Sequence, residues 1–152
     1  MNSRFAVSVH ILTVLASRTG QLLTSETIAG QVNTNPAVVR KLVGALQKAG
    51  FVGSKLGPGG GLNLAINPSA ISLACVYTAL KDDDTSLLIP EHAAKADCDF
   101  AKGIFVSLEG SCDKAERALQ ASLGQTTIAD VLADARAGIP QSQLELHNAR
   151  LP

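Results

Sequence analysis

The residues whose chemistry stands out in this sequence are polar and basic side chains close to a run of glycines. Asn35 can pair with adenine edges, and Arg40 and Lys41 can pair with guanine edges. Ala37 and Val38 carry the small apolar side chains that suit thymine methyl groups. Because these side chains are close together in the chain, they indicate a short surface that reads double-stranded DNA.

One predicted helix, here called the recognition helix, would present these side chains. Asn35 is a favourable N-cap, and Pro36 stands at the first helical position, where its missing N–H costs nothing. The helix is predicted to run to about Ala49 and to end at Gly50, a C-cap glycine. Its apolar residues are spaced by three and four and form one buried stripe: Val39, Leu42, Val43 and Leu46. The other face is therefore free to contact a polyanion.

Elements on both sides complete a winged helix-turn-helix in a mainly helical fold. A supporting helix is predicted over 25–32, with Thr24 or Ser25 as its cap. After the recognition helix, strands over 52–55 and 62–65 are joined by the glycine run. A hairpin in this position is interpreted as a wing.

Further DNA contacts are expected from the backbone and the wing. Backbone N–H groups from Thr34 to Ala37, together with Arg4, would hold phosphates. Lys55 and the glycine tip would reach the minor groove, where a backbone without side chains can come close. The candidate DNA-contacting residues are Arg4, Thr34, Asn35, Pro36, Ala37, Val38, Arg40, Lys41, Lys55, Gly59 and Gly60.

Charge and composition favour the same interpretation. Residues 1–66 contain six Lys and Arg and one Glu, whereas the rest contains seven Lys and Arg against twelve acids. A basic N-terminal half is the footprint expected of a DNA-contacting unit, and an acidic half is not expected along the backbone. Aromatic residues make up only 3%, which disfavours single-strand binding by base stacking.

The sequence also predicts a location. No apolar run approaches the roughly 18 residues of a membrane helix, and no signal-peptide pattern opens the chain, so a cytoplasmic protein without membrane association is expected. Three cysteines at irregular spacing do not form a disulfide framework, which agrees with a reducing compartment.

Enzymatic interpretations lack a motif. A nucleotide-binding loop needs Lys and Ser or Thr after its last glycine, but Gly61 is followed by Leu62. The three consecutive aspartates at 82–84 do not converge on one ion and are interpreted as a solvated loop. His10 lies in an apolar helical run and is expected to be packed and hydrogen-bonded. We therefore expect no enzyme, no catalytic residue and no metal site.

Helical patterns account for most of the remaining chain. A first helix over 3–17 is predicted to be nearly buried all round. A short helix over 71–81 would turn Ile71, Cys75 and Leu80 inward, and Thr126 or Thr127 would cap a last helix over 128–137. The predicted units are a DNA-binding domain over 1–81, a connecting loop over 82–98, a dimerisation part over 99–138 and a tail over 139–152.

The longest helical pattern runs over 99–123. Its apolar residues are spaced by three and four: Phe100, Ile104, Leu108, Cys112, Ala115, Leu119 and Leu123. A small winged domain does not need so long a stripe for its own core, so the first six are predicted to form a dimer interface. The alternative is that the stripe folds back on its own domain.

These motifs together resemble a known family. The order SRFAV, TSETIA, NPAVVRKLVGALQKAGFV, GPGGGLNLA and NPSAISL is similar to the winged-helix bacterial regulators typified by IscR, NsrR and CymR, the Rrf-two family. The resemblance covers residues 3–80 closely and the segment TTIADVL more loosely. It implies a homodimer joined through the long helix that binds a palindromic operator, usually as a repressor.

Many members of that family hold an iron–sulfur cluster on three closely spaced cysteines. Here Cys75 lies 23 residues before Cys98, and Cys112 lies 14 residues after it. This spacing disfavours a cluster, so no cofactor is expected, and Cys75 and Cys112 are interpreted as buried structural thiols. Cys98, at a helix N-terminus, is a candidate sensor thiol because the helix dipole would stabilise its thiolate.

The sequence therefore predicts a sequence-specific, DNA-binding, homodimeric transcriptional regulator. Two alternatives remain open: a winged-helix module that binds a protein without specific DNA binding, and a regulator that senses redox state through a cluster or a thiol. The sequence indicates neither the operator nor the effector.

Overall fold

The computed structural model describes residues 3–81 and 98–138, with side chains from residue 4 onward. The described elements are α1 (Ser3–Ser17), α2 (Ser25–Val32), α3 (Pro36–Lys48), β1 (Val52–Lys55), β2 (Gly61–Leu64), a short 3-10 turn (Pro68–Ala70), α4 (Leu73–Leu80), α5 (Asp99–Leu123) and α6 (Ile128–Ala137). The predicted connecting loop over 82–98, except for residue 98, and the tail over 139–152 lie outside the described residues.

Local capping sets the helix-turn-helix. The Thr24 hydroxyl accepts a hydrogen bond from the Thr27 backbone N–H at 3.1 Å, which fixes the start of α2. The Asn35 side-chain oxygen accepts from the Val38 N–H at 2.9 Å and caps α3, the recognition helix. Between the two helices Asn33 adopts a left-handed conformation, with φ 55°, and this turns the chain. The predicted caps and both helices are confirmed.

The predicted wing is an antiparallel hairpin of β1 and β2. Val52 pairs with Leu64 and Lys55 with Gly61, so the second strand begins and ends one residue earlier than predicted. A Cβ atom on Gly60 would lie 2.2 Å from the Lys55 carbonyl oxygen, so the turn itself requires this glycine.

The wing is also fixed to the body of the protein. Leu23, between α1 and α2, exchanges two backbone hydrogen bonds with Leu62 of β2, at 2.9 and 2.8 Å. These bonds extend the ladder by one residue on the far side of β2. The side chain of Leu23 is buried in the core, with only 9% of its surface exposed. Leu23 therefore holds the hairpin next to the helix-turn-helix.

The core is aliphatic and centres on α1. Ile11, Leu12 and Leu15 of α1 are at most 2% exposed. The same cluster contains residues from each surrounding helix except α5: Ile28, Val39, Leu42, Leu46, Val76 and Ile128. The helix α1 is less uniformly buried than predicted, because His10 on its surface is exposed. The expectation of a packed His10 was wrong.

The last helix belongs to this same core. The Ile128 side chain is fully buried, and its backbone N–H donates to the Ile71 carbonyl at 2.9 Å. The Leu73 N–H donates in turn to the Thr126 carbonyl at 2.9 Å. The helix α6, which the sequence grouped with the dimerisation part, therefore packs on the domain formed by the first 81 residues.

The short helix α4 turns a different residue inward from the one expected. Val76 is fully buried, whereas Cys75 beside it is exposed, with the Ser72 hydroxyl donating to its sulfur at 3.1 Å. The prediction of a buried structural thiol at Cys75 was therefore wrong. The helix also begins at Leu73, two residues later than predicted, because Ser72 accepts from the Cys75 N–H and caps it.

The stripe on α5 winds around the helix. A step of four residues passes a full turn by about 40°, since an α-helix has about 3.6 residues per turn. Side-chain exposure falls along the stripe accordingly, from 78% at Phe100 through 55% at Ile104 and 48% at Leu108 to 9% at Cys112. Cys112 therefore faces its own chain, as predicted for a buried thiol, and its place in a dimer interface stays a prediction.

Candidate nucleic-acid interface

The N-terminal turns of α3 present the predicted reading residues. Ala37, Val38 and Lys41 are exposed on one side of the turn formed by Thr34 and Asn35, while Pro36 is half-buried. Val39 and Leu42, in the opposite direction, are buried in the core. The structure therefore brings the predicted residues of this segment together on one surface. The opposite face of α3 packs in the core behind them.

The capping role of Asn35 limits how it can read a base. Its side-chain oxygen already accepts the Val38 N–H, which leaves the amide N–H₂ group as a donor. The expected bidentate pair with adenine needs both the oxygen and the nitrogen. With the cap intact, the N–H₂ group can donate to a base acceptor or a phosphate, and the pair with adenine would need the second lone pair of the capping oxygen.

Arg40 is held by a carboxylate. Its Nη1 donates to Glu26 Oε1 of α2 at 3.1 Å, and both side chains are largely exposed. The pKa of Glu26 is lowered, first by a hydrogen bond from its own backbone N–H and then by the Arg40 guanidinium. Glu26 therefore places a negative charge beside the recognition helix.

The wing tip carries an apolar residue that the sequence analysis did not single out. Leu56 follows Lys55, and its side chain is 92% exposed. Gly59 is exposed as well, whereas Gly60 is half-buried in the turn. The only available signal for Leu56 was one large apolar residue between a lysine and a glycine run. Minor-groove proteins often place such side chains against base steps.

Arg4 lies apart from the other predicted DNA-contacting residues. It is half-buried near the start of α1 and lines a cavity with Tyr77 of α4 and Leu119 of α5. None of the other predicted DNA-contacting residues lines that cavity among the described residues. A phosphate contact from Arg4 stays a prediction.

The predicted dimer stripe divides into two faces. Phe100, Ile104 and Leu108 are exposed and line a shallow groove with small residues of α5, and Ala115 is exposed too. Leu119, although 43% exposed, lines the cavity against the chain's own α1 and α4. Within one subunit, Leu119 therefore lies near its own chain while Phe100, Ile104 and Leu108 are exposed, and the dimer interface stays a prediction.

Comparison with known proteins agrees with this architecture. Residues 1–134 match the model of the Rrf2 family, described as an iron-dependent transcriptional regulator. The chain belongs to the Rrf2 family. This confirms the family resemblance seen in the sequence, and it identifies the chain as a transcriptional regulator with a winged helix-turn-helix.

Individual Rrf2 relatives agree with this assignment. The chain is 33% identical over 132 residues to YwnA of Bacillus subtilis, named as an HTH-type transcriptional regulator, covering 87% of this chain and 96% of YwnA. A crystal structure described as that of a DNA-binding protein is 32% identical, covers 86% of this chain and 99% of its own, and has a TM-score of 0.68. IscR of T. potens, 23% identical with 95% of each chain covered, shares the fold at a TM-score of 0.66.

The description of the Rrf2 family names iron, and cysteine thiolates are the usual ligands of iron–sulfur clusters. Cys75 and Cys98 are exposed on different elements, and Cys112 is buried on α5. Within residues 3–81 and 98–138, no three His, Cys, Asp or Glu side chains are grouped to hold a metal ion. The described residues do not fit an iron–sulfur cluster.

Cys98 has its own electrostatic setting. It stands at the N-cap position of α5 without a side-chain capping hydrogen bond, and the nearby backbone N–H groups of Ala101 and Phe100 lower the pKa of its thiol. Its exposure leaves the sulfur accessible to reagents in solution.

Among the helices described, none is long and apolar enough to span a bilayer.

Proposed function

We propose that this Rrf2 regulator binds DNA sequence-specifically as a homodimer on a palindromic operator and acts as a repressor. The observation that carries the proposal is that the N-terminus of α3 and the wing tip are both exposed, with the wing hydrogen-bonded to Leu23 beside the helix-turn-helix. A recognition helix reads the major groove with its N-terminal residues, while a wing can reach the adjacent minor groove.

The open face of α5 supports the homodimer. Phe100, at 78% exposure, and Ile104, at 55%, are large apolar side chains on a 25-residue helix. Two copies of this face would bury each other, and their two-fold symmetry would match two inverted half-sites. Occupation of a promoter by such a dimer blocks transcription without further chemistry.

Selection from random double-stranded DNA, followed by anisotropy titration at two salt concentrations, tests the DNA-binding proposal. We expect enrichment of inverted half-sites. Lys41→Ala should flatten the dependence of binding on salt by about one unit of slope. Lys48→Ala is the matched control, because Lys48 is exposed at the opposite end of α3 and should change the slope less. No enriched sequence and no binding at low salt would overturn the proposal and favour a protein partner.

We propose separately that Cys98 is an oxidation-sensitive thiol, because backbone N–H groups stabilise its thiolate. The thiolate would attack one oxygen of a peroxide, forming S–OH, while the other oxygen leaves with the bonding electrons and takes up a proton.

Iodoacetamide labelling followed by mass spectrometry tests this role. Cys98 should react faster than Cys75, a control thiol that is also exposed, and much faster than the buried Cys112. Equal protection of Cys98 and Cys112 in the native protein would contradict the role.

A further inference from the structure

A cavity of about 260 Å³ lies where the start of α1, the end of α4 and the end of α5 meet. Its walls are mainly apolar and include Phe5, Leu119 and Leu123. An apolar cavity of about 150 Å³ is enough to bind benzene. This space is therefore large enough for a small ligand with one ring or a branched chain.

Tyr77, which lines this cavity, carries a hydroxyl group. Its phenolic oxygen is buried and has no hydrogen-bond partner among the described residues. A buried hydroxyl without a partner is costly, so a ligand acceptor placed there would be favoured. Phe5 holds the ring edge-on, with centroids 6.3 Å apart and planes at 73°. Burial and, secondarily, the Glu116 carboxylate raise the pKa of Tyr77, which keeps the phenol protonated as a donor.

Two cationic side chains stand at the same cavity. Arg4 and Lys81 both line it, and Lys81 Nζ donates to Glu116 Oε1 of α5. This ion pair holds the lysine ammonium beside the opening. The two cations outnumber the Glu116 carboxylate here, so this apolar cavity with its phenol complements a carboxylate that carries an apolar body.

We propose that this cavity binds a small monocarboxylate with an apolar body, its carboxylate accepting from Tyr77 near Lys81. Since α1 and α4 belong to the DNA-binding domain and α5 carries the open dimer face, the ligand would contact both parts. Occupation would fix the angle between them and so change operator affinity. The regulatory part of this inference rests on the proposed function, whereas ligand binding itself does not.

Calorimetric titration of the full chain with phenylacetate tests binding directly. We expect 1:1 saturation with a Kd on the order of 0.1 to 1 mM, and weaker binding of the neutral phenylacetamide. Tyr77→Phe keeps the ring and removes the donor, so phenylacetate should bind it about tenfold more weakly. Leu123→Trp, which fills the cavity, should abolish binding.

Thermal unfolding of each variant without ligand verifies its fold. If Leu123→Trp does not fold, the comparison of wild type with Tyr77→Phe still decides the matter. If phenylacetate saturates wild type and Tyr77→Phe equally, the inference is overturned. The inference would also be overturned if none of phenylacetate, cyclohexylacetate and 3-methylbutanoate binds at a concentration 10-fold above the expected Kd.

Anisotropy with the selected operator separates the two proposals. Operator binding that phenylacetate leaves unchanged would overturn the regulatory part and leave the proposed DNA function standing. Phenylacetate binding by a protein that binds no DNA would overturn the proposed function and leave the ligand site standing.

Discussion

Asn35 combines two roles in one amide, a cap and a candidate DNA contact. Asn35→Asp keeps a good cap but replaces the donor N–H₂ group by a negative charge, whereas Asn35→Ala removes the cap. We expect Asn35→Asp to retain the free energy of unfolding and to weaken operator binding at least tenfold. Asn35→Ala should lower the free energy of unfolding by about 1 kcal/mol.

Urea unfolding and anisotropy measure the two effects separately. The Asp variant is informative because any loss of DNA binding cannot then be assigned to a frayed helix. Wild-type operator affinity in Asn35→Asp would remove Asn35 from the DNA interface.

Leu56 is a second residue whose role can be separated from stability. Because its side chain is 92% exposed, Leu56→Ser should leave the unfolding free energy within about 0.5 kcal/mol of wild type. If the wing meets the minor groove, the same substitution should weaken operator binding several-fold. Val106→Ser, at a position 66% exposed on α5, is the matched control and should leave affinity unchanged. Equal affinity of Leu56→Ser and wild type would place the wing tip away from DNA.

At the scale of elements, local signals account for what could be predicted. Thr24, Asn35 and Thr127 act through hydrogen bonds to N–H groups three residues away, so the sequence contains everything that these caps need. The faces of helices depend instead on distant partners. Cys75 and His10 were therefore misplaced, and the stripe on α5 was read as one face although its spacing by fours turns it gradually around the helix.

The same distinction applies to the candidate site. The reading residues at the start of α3 could be predicted, since a cap and a stripe define which side is free. The position of Arg4 against α4 and α5 could not, because those helices are some seventy or more residues away in the sequence. Leu56 was missed because nothing in its neighbours distinguishes an exposed apolar tip from a buried one.

The cap of α6 gives a prediction about pH. Asp130 accepts from the Thr127 hydroxyl and N–H, at 2.7 and 2.8 Å, and these bonds lower its pKa. A lowered folded-state pKa adds stability above the ordinary Asp value, and this stability is lost as pH falls through the folded-state pKa. The deficit of Asp130→Asn relative to wild type should thus be largest near neutral pH and shrink below pH 3.8.

Urea unfolding at several pH values measures this difference. Asp134→Asn on the same helix, outside the capping box, is the control and should show no such trend. A deficit of Asp130→Asn that does not change between neutral and acid pH would contradict the capping role of the carboxylate.

At the scale of the whole molecule, the open face of α5 predicts the assembly. Ile104→Glu would place a charge in the centre of that face and should convert a dimer to a monomer. Affinity for a full operator should then fall towards that for a single half-site, because the second contact is no longer linked to the first. Sedimentation equilibrium and anisotropy measure the two effects.

Val106→Glu serves as the control for that experiment. Val106 is also exposed, at 66%, but two residues turn the helix by about 200°, so it faces away from Ile104. An Ile104→Glu variant that stays dimeric, or a Val106→Glu variant that dissociates equally, would show that the interface lies elsewhere.

The two hydrogen bonds between Leu23 and Leu62 have a consequence for how operators would differ. Both bonds must break before the wing can move away from the recognition helix. Each subunit would therefore contact its half-site with a fixed distance between the recognition helix and the wing. A signal received between α5 and the rest of the chain could then leave base preference untouched. It would change instead which spacer lengths between half-sites are tolerated, and operators that differ only in spacer length would respond to it differently.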